Sequence, residues 1–250
     1  MFTDPLFVAL AIPAVIFAGV SKGGFGSGAA FAATPLLALV VEPGMALGVM
    51  LPLLMLVDAV TLRPYWRQWS WPDAKLLIVG GVPGVVLGIV LWQVAPADVF
   101  RVLIGVIALG FVAWQLFGRR MLVASAAREM PASVGLATGV ISGFTSFVSH
   151  AGGPPVAVYL LGRGLSKTTY QATTVLVFWA VNLVKAVPYA AIGIFTAETI
   201  TATLWLAPFA LLGAWIGVKA HRLVPERLFF ALTYVMLVGA GVKLIYDAAT

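Results

Sequence analysis

Apolar stretches long enough to cross a bilayer follow one another almost without interruption, and they constrain this chain more than any motif does. Ten helical segments are read at roughly 6–21, 26–41, 44–62, 74–94, 98–117, 132–148, 153–162, 168–190, 199–220 and 226–247. A span needs about 20 predominantly apolar residues. On that measure the first, second and sixth segments are short and the seventh is much too short. Hydrophobic residues make up 62% of the 250 and charged residues 10%, against roughly 45–50% and about 25% in a soluble domain. The expected fold is therefore an all-α polytopic membrane protein. The net charge of +6 would suggest nucleic acid in a soluble protein. Here the Lys and Arg sit in short loops, which points to membrane orientation and to the lipid bilayer as partner, with no nucleic acid. The absence of cysteine excludes disulfides, thiol chemistry and cysteine-ligated metal, and neither a cofactor nor a metal is expected. Met1–Pro5 lacks a basic n-region, and no clear cleavage site follows the first apolar run, so a cleaved signal peptide is not expected.

Two stretches break this pattern. The first is Ser21-Lys22-Gly23-Gly24-Phe25-Gly26-Ser27-Gly28, set between Pro13 and Pro35. The second is Ser142-Gly143-Phe144-Thr145-Ser146-Phe147-Val148-Ser149-His150-Ala151-Gly152-Gly153-Pro154-Pro155. Both place polar or ionisable groups where a helix would otherwise continue. An unpaired backbone group in lipid costs several kcal/mol, so such breaks survive only where protein or a wet cavity covers them. Both are read as tips of helical hairpins, and a matched pair of interrupted segments points to a transporter's binding site.

The halves repeat. Gly19, Gly23 and Pro35 match Gly139, Gly143 and Pro155; Asp58, Pro64 and Tyr65 match Asn182, Pro188 and Tyr189. Further on, Gly84, Gly88, Pro96 and Phe100 match Gly213, Gly217, Pro225 and Phe229. The offset grows only between segments, as loop insertions would make it. Residues 1–120 form the first repeat, 121–131 a basic linker and 132–250 the second. Each repeat is a glycine-rich broken-helix hairpin followed by three transmembrane helices. Arg63, Arg67 and Lys75 mark one cytoplasmic loop, with Arg119, Arg120 and Arg128, Arg163 and Lys167, and Lys219, Arg222 and Arg227 marking others. Glu42, Asp98 with Arg101, and Glu198 fall on the external side. The repeats are then inverted and both termini lie outside, in a multi-pass protein of the bacterial inner membrane.

Lys22, Asp58, His150 and Lys185 fall inside apolar segments, with Asn182 one turn before Lys185. An ionisable group at the bilayer centre costs at least about 2.5–3.5 kcal/mol, so each needs a partner or a wet cavity. Blander readings stand beside the functional ones: Lys185 snorkels from a helix end near Pro188, Asp58 pairs with Arg63, and His150 is a packing histidine. Together the groups suit a small oxyanion. Glycines let backbone N–H groups approach a ligand, and the helix N-termini after Gly24–Gly28 and Gly152–Pro155 favour negative charge. Lys22 and Lys185 add full charges, and Ser27, Ser146, Ser149 and Thr34 add hydroxyls. His150 and Asp58 are the candidates for coupling anion movement to protons.

At these residues the chain resembles the sulfite exporter TauE/SafE family of bacterial membrane transporters, over roughly residues 6–247. The resemblance rests on Gly19, Ser21 to Gly28 and Pro35-Leu36-Leu37, then on Gly139, Ser142-Gly143, His150-Ala151-Gly152-Gly153-Pro154-Pro155 and Tyr159-Leu160-Leu161. The second motif is the more specific. Gly-Phe-Gly-Ser-Gly-Ala stands where many members carry a glycine triplet. The resemblance implies movement of sulfite, organosulfonates or related sulfur oxyanions and carboxylates. It implies Lys22, Gly23, Gly24, Gly26, His150, Gly152, Gly153 and Pro154 as site positions, to which the residue chemistry adds Ser27, Ser146, Ser149, Asn182 and Lys185.

Three other readings compete. A serine hydrolase using Ser27 and His150 lacks the Gly-x-Ser-Gly of intramembrane proteases, because Phe25 takes the first glycine position, and it leaves the repeat unexplained. A passive anion channel could use the same tips and cations. Nucleotide binding lacks the Gly-Lys-Ser/Thr and the preceding strand. Gly80, Gly81, Gly84, Gly88, Gly213 and Gly217 read as helix-packing positions. Trp66, Trp69, Trp71 and Tyr65 read as an interfacial belt. The expectation is a secondary transporter, not an enzyme, of a small anion, with a homo-oligomer compatible with the sequence.

Overall fold

The computed structural model describes residues 4–25, 29–118, 130–220 and 226–250, and they are helical throughout apart from turns. The helices are α1 Pro5–Val20, α2 Ala33–Leu37, α3 Pro43–Leu62, α4 Trp71–Val94, α5 Ala97–Ala113, α6 Ala132–Ser149, α7 Gly153–Gly162, α8 Lys167–Ala191, α9 Ala197–Ala220 and α10 Glu226–Ala249. A π-helical turn, Ser21–Phe25, follows α1, and a 3-10 turn, Ala30–Ala32, leads into α2. Helix starts follow local chemistry. Asp4 accepts from Leu6 N at 2.9 Å ahead of Pro5, and Ser166 Oγ accepts from Thr169 N at 3.1 Å at the head of α8.

Among the described residues, eight helical stretches are long and apolar enough to cross a membrane, and this is a polytopic all-α membrane protein. The first and sixth segments, expected to be short, reach 19 and 18 residues, the first because the π turn prolongs α1. Segment 26–41 departs from the reading of one helix. Residues 26–28 lie outside the described residues, and only Ala33–Leu37 is α-helical. Pro35 falls in the first turn of α2, where its missing N–H is tolerated. Large side chains such as Val94, Leu204 and Val235 stand 70–77% exposed, the inverse of a soluble surface and the face that lipid covers.

Two helix pairs approach through glycine, as expected for these positions. Gly80, Gly84, Gly139 and Gly143 bring α4 and α6 together in parallel, and Gly19, Gly213 and Gly217 do the same for α1 and α9. A Cβ at Gly139 would lie 2.7 Å from the Leu77 carbonyl. Gly139→Leu should therefore force the helices apart and cost about 1–3 kcal/mol or more. Thermal unfolding of the purified protein measures this, and an unchanged midpoint would disprove tight packing there.

The hairpins enter from opposite ends of the bundle. The segment after α2, residues 38–42, ends in a cleft of about 450 Å³ shared with Arg101, Leu244 and Asp247. Helix α7 ends at the other extremity. There Asp73, 2% exposed, accepts from Arg163 Nε at 2.8 Å, Tyr159 OH at 3.0 Å and Ser70 Oγ at 2.6 Å. Ser70 N also donates to Thr173 Oγ1 at 2.9 Å. This network binds the end of α7 to the starts of α4 and α8. Lys22, Ala30 and Phe31, flanking the first break, thereby meet Ser146, His150 and Gly153 of the second inside the bundle.

Candidate functional site

Lys22 lies in the π turn after α1, a distortion frequent at functional positions. It is 6% exposed and so needs a counter-charge. The turn aims its ammonium at Asp58 on α3, with which it forms an ion pair, and at the Leu54 carbonyl at 3.4 Å. The second oxygen of Asp58 accepts from Asn182 Nδ2 on α8 at 2.9 Å. Asp58 therefore does not pair with Arg63. Both its oxygens are engaged in the interior by groups 36 and 124 residues away in sequence.

A second cluster forms at the end of α6. The helix closes with His150 N donating to Ser146 O at 3.0 Å and Ala151 N to Thr145 O at 3.2 Å. This pair of bonds puts His150 in the left-handed position, at φ 56°, where glycine is usual. A Cβ-bearing residue there costs roughly 1–2 kcal/mol, so the side chain has a reason to be present. Its Nε2 faces the Leu47 carbonyl at 3.2 Å and its Nδ1 faces Lys185 Nζ at 2.8 Å. A carbonyl only accepts, so Nε2 carries the proton and Nδ1 accepts from Lys185. Lys185 also donates to Ser146 O at 2.9 Å. It is fully buried and does not snorkel. Among the described residues, no carboxylate lies within ion-pair distance of it. Tyr189, a turn further along α8, donates to Phe147 O at 2.5 Å.

Between these clusters is a cavity of about 10 Å³, roughly the space of one water, lined by Lys22, Ala30, Phe31, Leu54, Ser146, His150, Gly153, Phe178 and Asn182. Five of the expected positions thus converge: Lys22, Ser146, His150, Gly153 and Asn182. Lys185 stands behind His150. Gly152 is held by Ser142 Oγ donating to its carbonyl at 2.9 Å, and any Cβ on it would meet that hydroxyl at 2.7 Å. Pro154 lies in the first turn of α7 and, like Pro155, has no N–H to offer. Gly153 is therefore the backbone donor of this helix end that reaches the cavity.

Other expected positions do different work. Gly23 packs against the Ala214 backbone, and Gly24 belongs to the π turn. Ser149 donates to Thr145 O one turn back, at 3.2 Å, and is absent from the cavity wall. Gly26 and Ser27 lie outside the described residues. Thr34 is fully buried, and among the described residues its Oγ1 alone is a buried side-chain polar atom with no hydrogen-bond partner. The Leu47 and Leu54 carbonyls, Phe178 and Tyr189 were not legible as site residues. Carbonyls carry no sequence signal, and buried aromatics resemble any other core position. Tyr189 alone had a signal, as the counterpart of Tyr65.

No curated protein and no solved structure matches the chain. A family model, sulfite exporter TauE/SafE, matches residues 11–244, nearly its whole length. That family comprises membrane transporters of sulfite and related anions, which agrees with an apolar bundle holding two buried lysines around a small polar cavity. The chain belongs to the sulfite exporter TauE/SafE family.

Proposed function

We propose that the protein is a secondary transporter of a small oxyanion (a sulfonate, sulfite or short carboxylate) working by alternating access, and coupled to protons. One observation carries this reading. Lys22 and His150 line a cavity between the two breaks, with Asp58 paired to Lys22 and Lys185 bonded to His150 directly behind its wall. A bound anion would answer a protonated Lys185, and a cavity of about 10 Å³ is smaller than any such anion, which fits a closed, unloaded state. Asn182, Ser146 Oγ and the Gly153 N–H supply further donors.

The packing also supports an inverted repeat. Ile16 O stands to Gly213 as Leu136 O stands to Gly80, and Val20 O stands to Gly217 as Val140 O stands to Gly84. These contacts favour equating Gly80 and Gly84 with Gly213 and Gly217, one helical turn away from the sequence alignment. Asp58 bonds its own counterpart Asn182, and a self-contact of this sort arises on a two-fold axis. Under the positive-inside rule the end bearing Asp73, Arg163 and Lys167 faces the cytoplasm and both termini face outward, in a bacterial inner membrane.

The test is thermal stabilisation by a panel of sulfite, methanesulfonate, sulfate and small carboxylates, followed by counterflow in proteoliposomes. A stabilising monoanion, lost in Lys185→Met, with saturable trans-stimulated uptake is expected. No shift with any anion would refute the reading. Flux that neither saturates nor shows counterflow would make the protein a channel.

A further inference from the structure

Lys185 is partnered differently from Lys22. Lys22 has a carboxylate. Lys185 is fully buried and has two neutral acceptors, Ser146 O at 2.9 Å and His150 Nδ1 at 2.8 Å. The carboxylate of Asp58 is already engaged on both oxygens, by Lys22 and by Asn182. The other buried carboxylate among the described residues, Asp73, is held by Arg163, Tyr159 and Ser70 at the end of the bundle. The remaining groups around Lys185 are uncharged. His150 gives its Nε2 proton to the Leu47 carbonyl and accepts from Lys185 at Nδ1, as only a neutral imidazole can, and Tyr189, whose ring centroid is 6.0 Å from Nζ, gives its hydroxyl hydrogen to Phe147 O.

An ammonium with no counter-ion is costly in such an interior. It is relieved in one of two ways, by losing its proton or by gaining an anion. The hydrogen bonds fit both. A neutral amine has two N–H donors, the number that Ser146 O and His150 Nδ1 accept. An ammonium has a third, which nothing in the structure receives.

Resting on the transport reading above, we propose that Lys185 is the proton carrier: each monovalent oxyanion enters with one proton, which resides on Lys185 Nζ behind the cavity wall, and the anion meets the third N–H as it widens the cavity past Ser146 and His150. The proton comes from the side on which the anion loads and leaves on the side where it is released. The unloaded site is neutral, with the Lys22 and Asp58 charges cancelling. The loaded site is also neutral, because the new ammonium and the monoanion cancel in turn. A dianion would leave a buried negative charge, so the site selects monoanions, and translocation moves no net charge. Asp58 and His150, the coupling candidates from the sequence, instead serve to hold Lys22 and to orient Lys185.

The experiment uses the purified full chain in weakly buffered detergent with a pH indicator, titrated with methanesulfonate and formate (monoanions near neutral pH) and with sulfate, a dianion. One proton taken up per monoanion bound is expected, with sulfate binding at least about tenfold more weakly. Lys185→Arg keeps its charge permanently. It should bind methanesulfonate without proton uptake, and in proteoliposomes it should carry a current where the wild type is electrically silent. Anion binding without proton uptake in the wild type would overturn the proposal, and proton coupling with it, and leave anion transport standing. Proton uptake persisting in Lys185→Arg, or equal binding of sulfate, would overturn it too. If that variant does not fold, the wild-type proton count decides alone. Binding of no anion at all would overturn the transport reading and this inference together.

Discussion

Asp58→Ala is expected to destabilise the protein by about 3–5 kcal/mol, the usual result of stranding one member of a buried ion pair. Lys22 is 6% exposed and its remaining contact is the Leu54 carbonyl at 3.4 Å, so it has no route to water without moving the π turn. Asn182 Nδ2 loses its acceptor in the same step, adding the cost of an unpaired donor, about 1–3 kcal/mol. Removing both charges, in Lys22→Met with Asp58→Leu, should recover most of the loss, because a hydrophobic pair of similar volume replaces a desolvated one at little cost. The double variant is therefore far less destabilised than the sum of the two single variants. Thermal or denaturant unfolding in detergent reads it. Additive effects would mean that the two side chains do not share one interaction. A transporter that needs the pair would keep its fold in the double variant and lose its anion response, which separates stability from function.

The second large effect is expected at the opposite end of the site. Asp73→Ala removes one carboxylate that accepts from Arg163, Tyr159 and Ser70 at once. Arg163 is 34% exposed in its side chain and can turn to water, so its share is modest. Tyr159 is 1% exposed, and its hydroxyl is left without a partner. The expected cost is about 2–4 kcal/mol, from one lost charge-assisted bond and one stranded buried donor. More tellingly, α7 loses its tether to α4, and the tip at Gly152–Gly153 is held from one side only. Deuterium labelling of the α7 backbone amides should then be faster in Asp73→Ala than in the parent. Equal labelling rates would show that Asp73 only stabilises and does not hold the hairpin closed. Arg163→Lys offers a finer test: a lysine reaches the carboxylate without the planar guanidinium geometry and should fall between the two.

Much of the architecture was legible because lipid leaves few options. Runs such as Leu76–Val94 or Leu204–Val218 are apolar, uncharged and helix-length, and in a bilayer that combination has one stable solution. The two glycine-rich breaks were equally readable, since Gly and Pro act through the local backbone. The packing glycines could be recognised for the same reason: only a missing Cβ lets helices approach this closely. Even the family followed from the local strings around Lys22 and His150.

What the amino-acid order could not determine is which buried charge meets which. Lys22, Asp58, His150, Asn182 and Lys185 were all identifiable as groups that lipid cannot tolerate alone, yet each had several conceivable partners. The tertiary structure decided in favour of Lys22 with Asp58, leaving Lys185 with a carbonyl and an imidazole. It did so through the angle of a π turn, the left-handed close of α6 and the depth to which each hairpin reaches. Those are consequences of helix packing over the whole bundle, summed from contacts between residues more than a hundred positions apart. Composition and spacing could say that the interior must be charge-balanced. Only the assembled helices determine that Lys185 is the buried amine left without a carboxylate.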